Sequence, residues 1–179
     1  SADFTMYGGK INGNHAGTDA RHEDGAGVEV GGTFTMYGGT IAGMQTGVIT
    51  REAFAMYGGT ITKNDKGVDF DSGTMTVGGD AKVKDNTENV SLPENGTITI
   101  DTSLKDAARI GVTTGKKPTA DTPVPFATGA TNEALEYDKI FIPDEADRGY
   151  VVTKDGTNLV LSAHQHSWTY ALKAGKTDT

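Results

Sequence analysis

Phe34-Thr35-Met36-Tyr37-Gly38-Gly39-Thr40-Ile41 decides how this chain is read, because the pattern recurs. It stands at Phe4-Thr5-Met6-Tyr7-Gly8-Gly9-Lys10-Ile11 and at Phe54-Ala55-Met56-Tyr57-Gly58-Gly59-Thr60-Ile61, with a worn copy at Thr74-Met75-Thr76-Val77-Gly78-Gly79-Asp80-Ala81. The last three copies are evenly spaced, as Phe34, Phe54 and Thr74 show, whereas Phe4 lies half a repeat further ahead of Phe34. A second element keeps step at the same interval: Gly27-Val28-Glu29-Val30, Gly47-Val48-Ile49-Thr50 and Gly67-Val68-Asp69-Phe70. One unit thus holds three short strand-like pieces between glycine turns. Such pieces are too short for helices, and about 20 residues is too few for a four-stranded propeller blade. They suit one coil of a parallel β-solenoid, in which the chain turns at glycines of positive φ and stacks on the coil before it, about 4.8 Å away.

The inward columns are then readable as Phe4/Phe34/Phe54, Met6/Met36/Met56, Ile11/Ile41/Ile61 and Val28/Val48/Val68. A leucine-rich repeat has a similar period but needs leucines, and residues 1–84 contain none. The extra length of the first unit falls between Ile11 and Val28, which makes it a loop at one corner. That loop gathers His15, Asp19, Arg21, His22, Glu23 and Asp24.

The repeat, with Ile11-Asn12-Gly13-Asn14 after its first copy, resembles the right-handed parallel β-helix repeats of large surface proteins from gut-dwelling Gram-positive bacteria. Residues Asn89-Val90-Ser91-Leu92, Thr97-Ile98-Thr99-Ile100, Leu104 and Ile110-Gly111-Val112-Thr113-Thr114 look like the module that closes such solenoids. The likeness covers about residues 1–162. It implies an all-β fold and a secreted, adhesin-like role at the cell surface or cell wall.

Beyond Asp85 the Gly-Gly signature stops and the charge balance shifts. Residues 1–84 carry 7 basic and 10 acidic groups, whereas residues 85–162 carry 7 and 13. The expected organisation is a short right-handed parallel β-helix of about four coils over 1–84, a β-rich capping module over 85–162, and the start of a further module or a tail over 163–179. A cap is expected because solenoid ends expose strand edges and an open core. Its strands read as 97–100, 109–113, 124–127, 139–142, 150–154 and 158–162, with a helical turn over 103–108. Asp155-Gly156-Thr157 signals a hairpin. The stretch Gly115-Lys116-Lys117-Pro118-Thr119-Ala120-Asp121 reads as a flexible loop.

Composition narrows the function. Twenty-five glycines in 179 residues is about twice ordinary usage, while five prolines fit neither collagen nor a Pro-rich linker. A net charge of −8 argues against nucleic acid and anionic membranes as partners. Without cysteine there is no disulfide framework, thiolate nucleophile or cysteine metal site. No apolar run approaches the ~20 residues of a membrane span. A monomer that contacts glycans or a host surface protein is expected.

The candidate residues each carry two readings. Tyr7, Tyr37 and Tyr57 form an aromatic ladder, whose faces and hydroxyls suit sugars, or else each ring packs over the Gly-Gly turn of its own coil. The loop set from His15 to Asp24 supplies an acid/base pair or a metal site, or is a solvated loop. Asp65, Asp69 and Asp71 surround a turn that offers oxygens to calcium, the one cofactor considered, or form a solvated face. His164 and His166 have the spacing of a two-His metal site in the tail. Three readings stay open: a non-catalytic structural or adhesin-like module that contacts glycans, a fragment of a β-helical polysaccharide lyase or hydrolase, and a pure scaffold with no ligand. The second calls for carboxylates, often with Arg or Lys, grouped on one face.

Overall fold

The computed structural model describes residues 3–13, 25–119 and 121–163. Within them the chain is mostly β, with 51% strand and 4% helix. The loop residues His15, Asp19, Arg21, His22, Glu23 and Asp24 lie outside the described residues, as do His164 and His166.

Three strands form per repeat. The first set is β1 (Phe4–Met6), β2 (Lys10–Asn12) and β3 (Ala26–Val30); the second is β4 (Thr33–Met36), β5 (Thr40–Ala42) and β6 (Thr46–Thr50). The third is β7 (Ala53–Met56), β8 (Thr60–Thr62) and β9 (Lys66–Phe70), and the fourth is β10 (Thr74–Val77), β11 (Lys82–Val83) and β12 (Glu88–Leu92). Each strand pairs parallel with its counterpart one repeat on, which builds a solenoid-like stack. The register aligns like with like: Phe4, Phe34 and Phe54 are direct partners, and so are Met6, Met36 and Met56.

This register follows from the period-two alternation, since a slip of one residue would turn every apolar side chain outward. Phe34, Met36, Ile41, Val48, Phe54, Met56, Ile61 and Val68 are all buried. The stacked phenyl rings of Phe4, Phe34 and Phe54 have centroids 5.2 and 5.0 Å apart. Phe4 keeps 38% of its surface exposed because β1 is an edge strand of its sheet.

The fourth repeat corrects the register read from the sequence. Met75 pairs with Phe54 and Val77 with Met56, one position later than an even repeat would place them. Val83, rather than Ala81, then takes the place opposite Ile61. Burial explains the shift. Aligning Gly78-Gly79 on Gly58-Gly59 would have turned Met75 and Val77 to solvent, whereas the observed register buries both completely. Gly78 consequently stands where the preceding repeats carry a tyrosine.

Parallel pairing continues past the last Gly-Gly. β13 (Ile98–Ile100) lies on β10, and the six-residue β14 (Arg109–Thr114) lies on both β11 and β12. The two faces of the second sheet thus meet along β14, nearly closing that sheet on itself. β15 (Val124–Thr128) extends β13, the helix α1 (Tyr137–Ile140) follows, and β16 (Phe141–Pro143) extends β14. Antiparallel pairing enters with β17 (Tyr150–Asp155) and β18 (Asn158–Ala163), which pair with each other, and β18 also pairs antiparallel with β15. One hydrophobic cluster runs without a break from Met6 to Leu161.

Two local expectations change. Residues 103–108 form tight turns closed by Leu104 N–H to the Asp101 carbonyl and Ala108 N–H to the Lys105 carbonyl. Residues 139 and 140 belong to α1, which buries Tyr137 and Ile140 on one side and leaves Asp138 and Lys139 outside. The hairpin forms as expected, with Asp155 opposite Asn158 and Gly156 at φ 61°.

The repeated glycines divide by cause. Gly39 and Gly59 adopt φ of 93° and 84°, which glycine alone takes without strain. Gly47 and Gly67 are required by space. A Cβ on Gly47 would lie 2.6 Å from the Gly67 carbonyl oxygen, whereas one on Gly8 would meet nothing within 4 Å. We therefore expect Gly47→Ala to cost about 1–3 kcal/mol in chemical denaturation, as overpacking does. Gly8→Ala should stay within about 0.5 kcal/mol of the parent chain.

Candidate functional site

The tyrosine column arises from the same stacking as the core. Inward Phe and Met are separated by one outward residue, so the residue after Met36 turns out, and that residue is Tyr37. Its amide donates to the Met6 carbonyl at 2.8 Å, as the Tyr57 amide does to Met36, and this continues the sheet spacing into the turn. Ring centroids stand 5.3 Å apart for Tyr7 and Tyr37 and 5.4 Å apart for Tyr37 and Tyr57, tilted by only 9° and 17°. Tyr7 is 78% exposed and Tyr37 50%, with Tyr57 half-buried.

The rings pack on one another, and this decides what they can offer. Tyr37 has a neighbouring ring on each face, so it presents its edge and hydroxyl. Among the described residues Tyr7 has a ring on one side only, and it is 78% exposed. An apolar sugar face can therefore stack at Tyr7, while Tyr37 and Tyr57 offer hydrogen-bonding hydroxyls.

Beside the column runs a row that the sequence reading did not single out. Thr5, Thr35, Ala55, Thr76 and Thr99 are in-register partners on successive strands, and Thr99 pairs onward with Thr128. They alternate with the inward column and so face out, giving a row of small, mostly hydroxyl-bearing side chains without a charge. The signal was present in the Phe-Thr-Met pattern, where the middle residue reads as filler until the strands are stacked.

A second unanticipated feature is an amide line at another corner. The Asn64 side chain, 4% exposed, accepts from the Met44 amide at 3.0 Å and donates to the Asn86 Oδ1 at 2.9 Å. Asn86 donates in turn to the Asn89 Oδ1 at 2.9 Å, and Asn89 donates through its backbone and its side chain to Asp144. Thr113 Oγ1 also donates to Asp144, at 2.9 Å. Every link satisfies polar groups inside the corner, which makes this line a structural element.

The three aspartates are not brought together as a metal site. Asp65 lies exposed at the turn before β9, its amide donating to the Met44 carbonyl at 3.2 Å. Asp69 pairs with Lys66 at 3.1 Å, and Asp71 with Arg51 at 3.6 Å. Arg51 also pairs with Glu29, so one guanidinium ties the repeats before and after its own. Among the described residues no group of three or more His, Asp or Glu is placed to hold a metal ion. Among them, too, no helix is long and apolar enough to cross a membrane.

Among the described residues two carboxylates, Asp101 and Glu145, have lowered pKa values. Hydrogen bonds from the Ser103 side chain and backbone hold Asp101 below its ordinary 3.8. The Lys117 ammonium, hydrogen-bonded to Glu145 at 2.9 Å and aided by Arg148, holds Glu145 below 4.5. A lowered folded-state pKa contributes stability above the ordinary value, and that contribution is lost as pH falls through the lowered one. We expect the thermal midpoint to fall below about pH 4 and Glu145→Gln to flatten part of that fall; both contacts face solvent, so the effect will be modest.

In comparison with known proteins, no family model, no curated protein and no solved structure matches the chain.

Proposed function

We propose that the chain is a non-catalytic, adhesin-like module of a secreted bacterial surface protein, built as a right-handed parallel β-helix of about four coils and contacting glycans through the tyrosine column. The observation that carries this reading is the exposed stack of Tyr7, Tyr37 and Tyr57, held at spacings of 5.3 and 5.4 Å by the strands beneath. A contiguous exposed aromatic patch of this kind is a feature of contact surfaces. The uncharged row of Thr5, Thr35, Thr76 and Thr99 beside them adds hydroxyls suited to a neutral, hydroxyl-rich polymer. Placement at the cell surface or wall rests on the likeness of the repeats to those of gut Gram-positive surface proteins.

The rigid stack suits such a role because the binding groups are presented without an ordering cost at the moment of contact. The test is binding of the purified chain to an array of mucin glycans and plant polysaccharides, with Tyr7→Ala and the Tyr37→Ala/Tyr57→Ala double variant alongside. Binding should weaken about tenfold or more, ~1.4 kcal/mol, in either variant. A blank array for the folded parent chain would overturn the glycan reading.

A further inference from the structure

The tyrosine column does not stop at Tyr57; it runs into a recess. Gly78 follows Tyr57 in register, and Asp101 follows Gly78, because β10 pairs with β7 and β13 pairs with β10. Two strand steps of about 4.8 Å carry the column from Tyr57 to Asp101. A Cβ on Gly78 would lie 2.8 Å from the Tyr57 ring and 2.6 Å from the Ser103 hydroxyl. The Tyr57 ring and the Ser103 hydroxyl close over Gly78, which is buried, so the last ring of the column lies against the turn that leads to the carboxylate. At that point a recess of about 260 Å³ opens between the end of β13 and the segment from Gly129 to Tyr137.

We infer that this recess is a sugar-binding subsite that takes one neutral pyranose at the end of a glycan lying along the tyrosine column. The inference rests on the glycan reading above and adds to it a site and a ligand charge. Its apolar side is built from Leu104, Leu135 and Tyr137, of which Leu104 and Tyr137 are buried. Such a surface suits the C–H face of a sugar ring. Asp101, Thr131 and Asn132 supply the polar side.

These polar groups are held in place from behind. The Ser103 amide donates to Asp101 Oδ1 at 2.8 Å, while the Ser103 hydroxyl accepts from the Gly79 amide at 3.2 Å. The carboxylate is thereby tied to the same Gly-Gly turn that ends the column. Asn132 donates its backbone N–H to the Tyr137 hydroxyl at 3.1 Å, and its Oδ1 accepts from the Ala134 amide at 3.0 Å. Its Nδ2 is left as a donor. An ionised carboxylate that accepts, beside an amide that donates, matches two adjacent sugar hydroxyls.

Charge selects among sugars. Among the described residues that line the recess, Asp101 is the one carboxylate and none is Lys or Arg, and the chain carries −8 overall. An anionic sugar would meet a like charge with no cation to offset it. A neutral ring meets none.

The experiment is an amide-resolved NMR titration of the full chain with glucose, galactose and xylose, and with glucuronate as the anionic comparison. At least one neutral sugar should give saturable shifts at Thr102, Gly129, Thr131 and Asn132, and glucuronate should give none there. Asn132→Ala and Asp101→Asn should each weaken that response tenfold or more, while Arg51→Ala, at a different corner, leaves it unchanged. Asn132 is exposed, so its variant decides the matter even if Asp101→Asn loses its fold. Shifts confined to Tyr7, Tyr37 and Tyr57 would overturn the subsite and leave the column reading intact. Silence at both places for every sugar, together with a blank array, would overturn both, and an equal response to glucuronate would overturn the selection for neutral rings.

Discussion

Placing identical side chains directly above one another at the spacing of parallel strands is the constraint on which this molecule depends. Ring on ring, thioether on thioether and isoleucine on isoleucine, each inward column repeats one shape, so that one packing solution serves several repeats. Phe34 lies stacked between Phe4 and Phe54, and Ile41 is paired with Ile11 and Ile61. The close approach this demands is visible in the glycines: the Gly67 carbonyl crowds the place where a Cβ on Gly47 would be. The outer surface inherits the same spacing, which is why Tyr7, Tyr37 and Tyr57 stand as a stack although nothing in the core requires them.

Where the repeats weaken, other interactions take over. Met75 and Val77 keep the inward columns filled at the cost of a one-residue shift, and the tyrosine column ends at Gly78 as a result. The amide line from Asn64 through Asn86 and Asn89 to Asp144 then binds the last repeat to the segments that follow. β14 joins the two faces of the second sheet, and β16 adds to it, while the antiparallel pair β17 and β18 finishes the first sheet. Phe126 packs edge-on against Phe141 at 5.8 Å and fills the space between these two closures. The end of the stack is thus covered by strands that belong to the same core.

This construction separates rigidity from recognition. The columns inside hold the backbone, and the column outside is free to carry groups that the core does not use. Salt bridges such as Arg51 with Glu29 and Asp71 join neighbouring repeats at a different corner, where exposure limits each to a small contribution. The tyrosines and the uncharged threonine row therefore carry no part of that charge network.

The period, the three strands per repeat and the inward identity of Phe, Met, Ile and Val were legible in the residues alone, because alternation and glycine spacing are local properties of the chain. The hairpin at Gly156 was legible for the same reason. The tyrosine ladder could be read as one of two arrangements, but the choice between stacking and packing over each coil's own Gly-Gly turn depends on the rings of Tyr7 and Tyr57, each in a neighbouring repeat. Likewise, the sequence shows Gly78-Gly79 as one more copy, and only burial of Met75 and Val77 reveals the shifted register. Asn89 and Asp144 belong to distant segments, and nothing near either announces the other. By itself the sequence determined which residues point inward and at what interval; the tertiary structure alone decided the register of the worn repeat, the union at β14 and the recess beside Asp101. The reason is physical: the first set follows from the geometry of single strands, whereas the second is settled by contacts between strands distant in the chain.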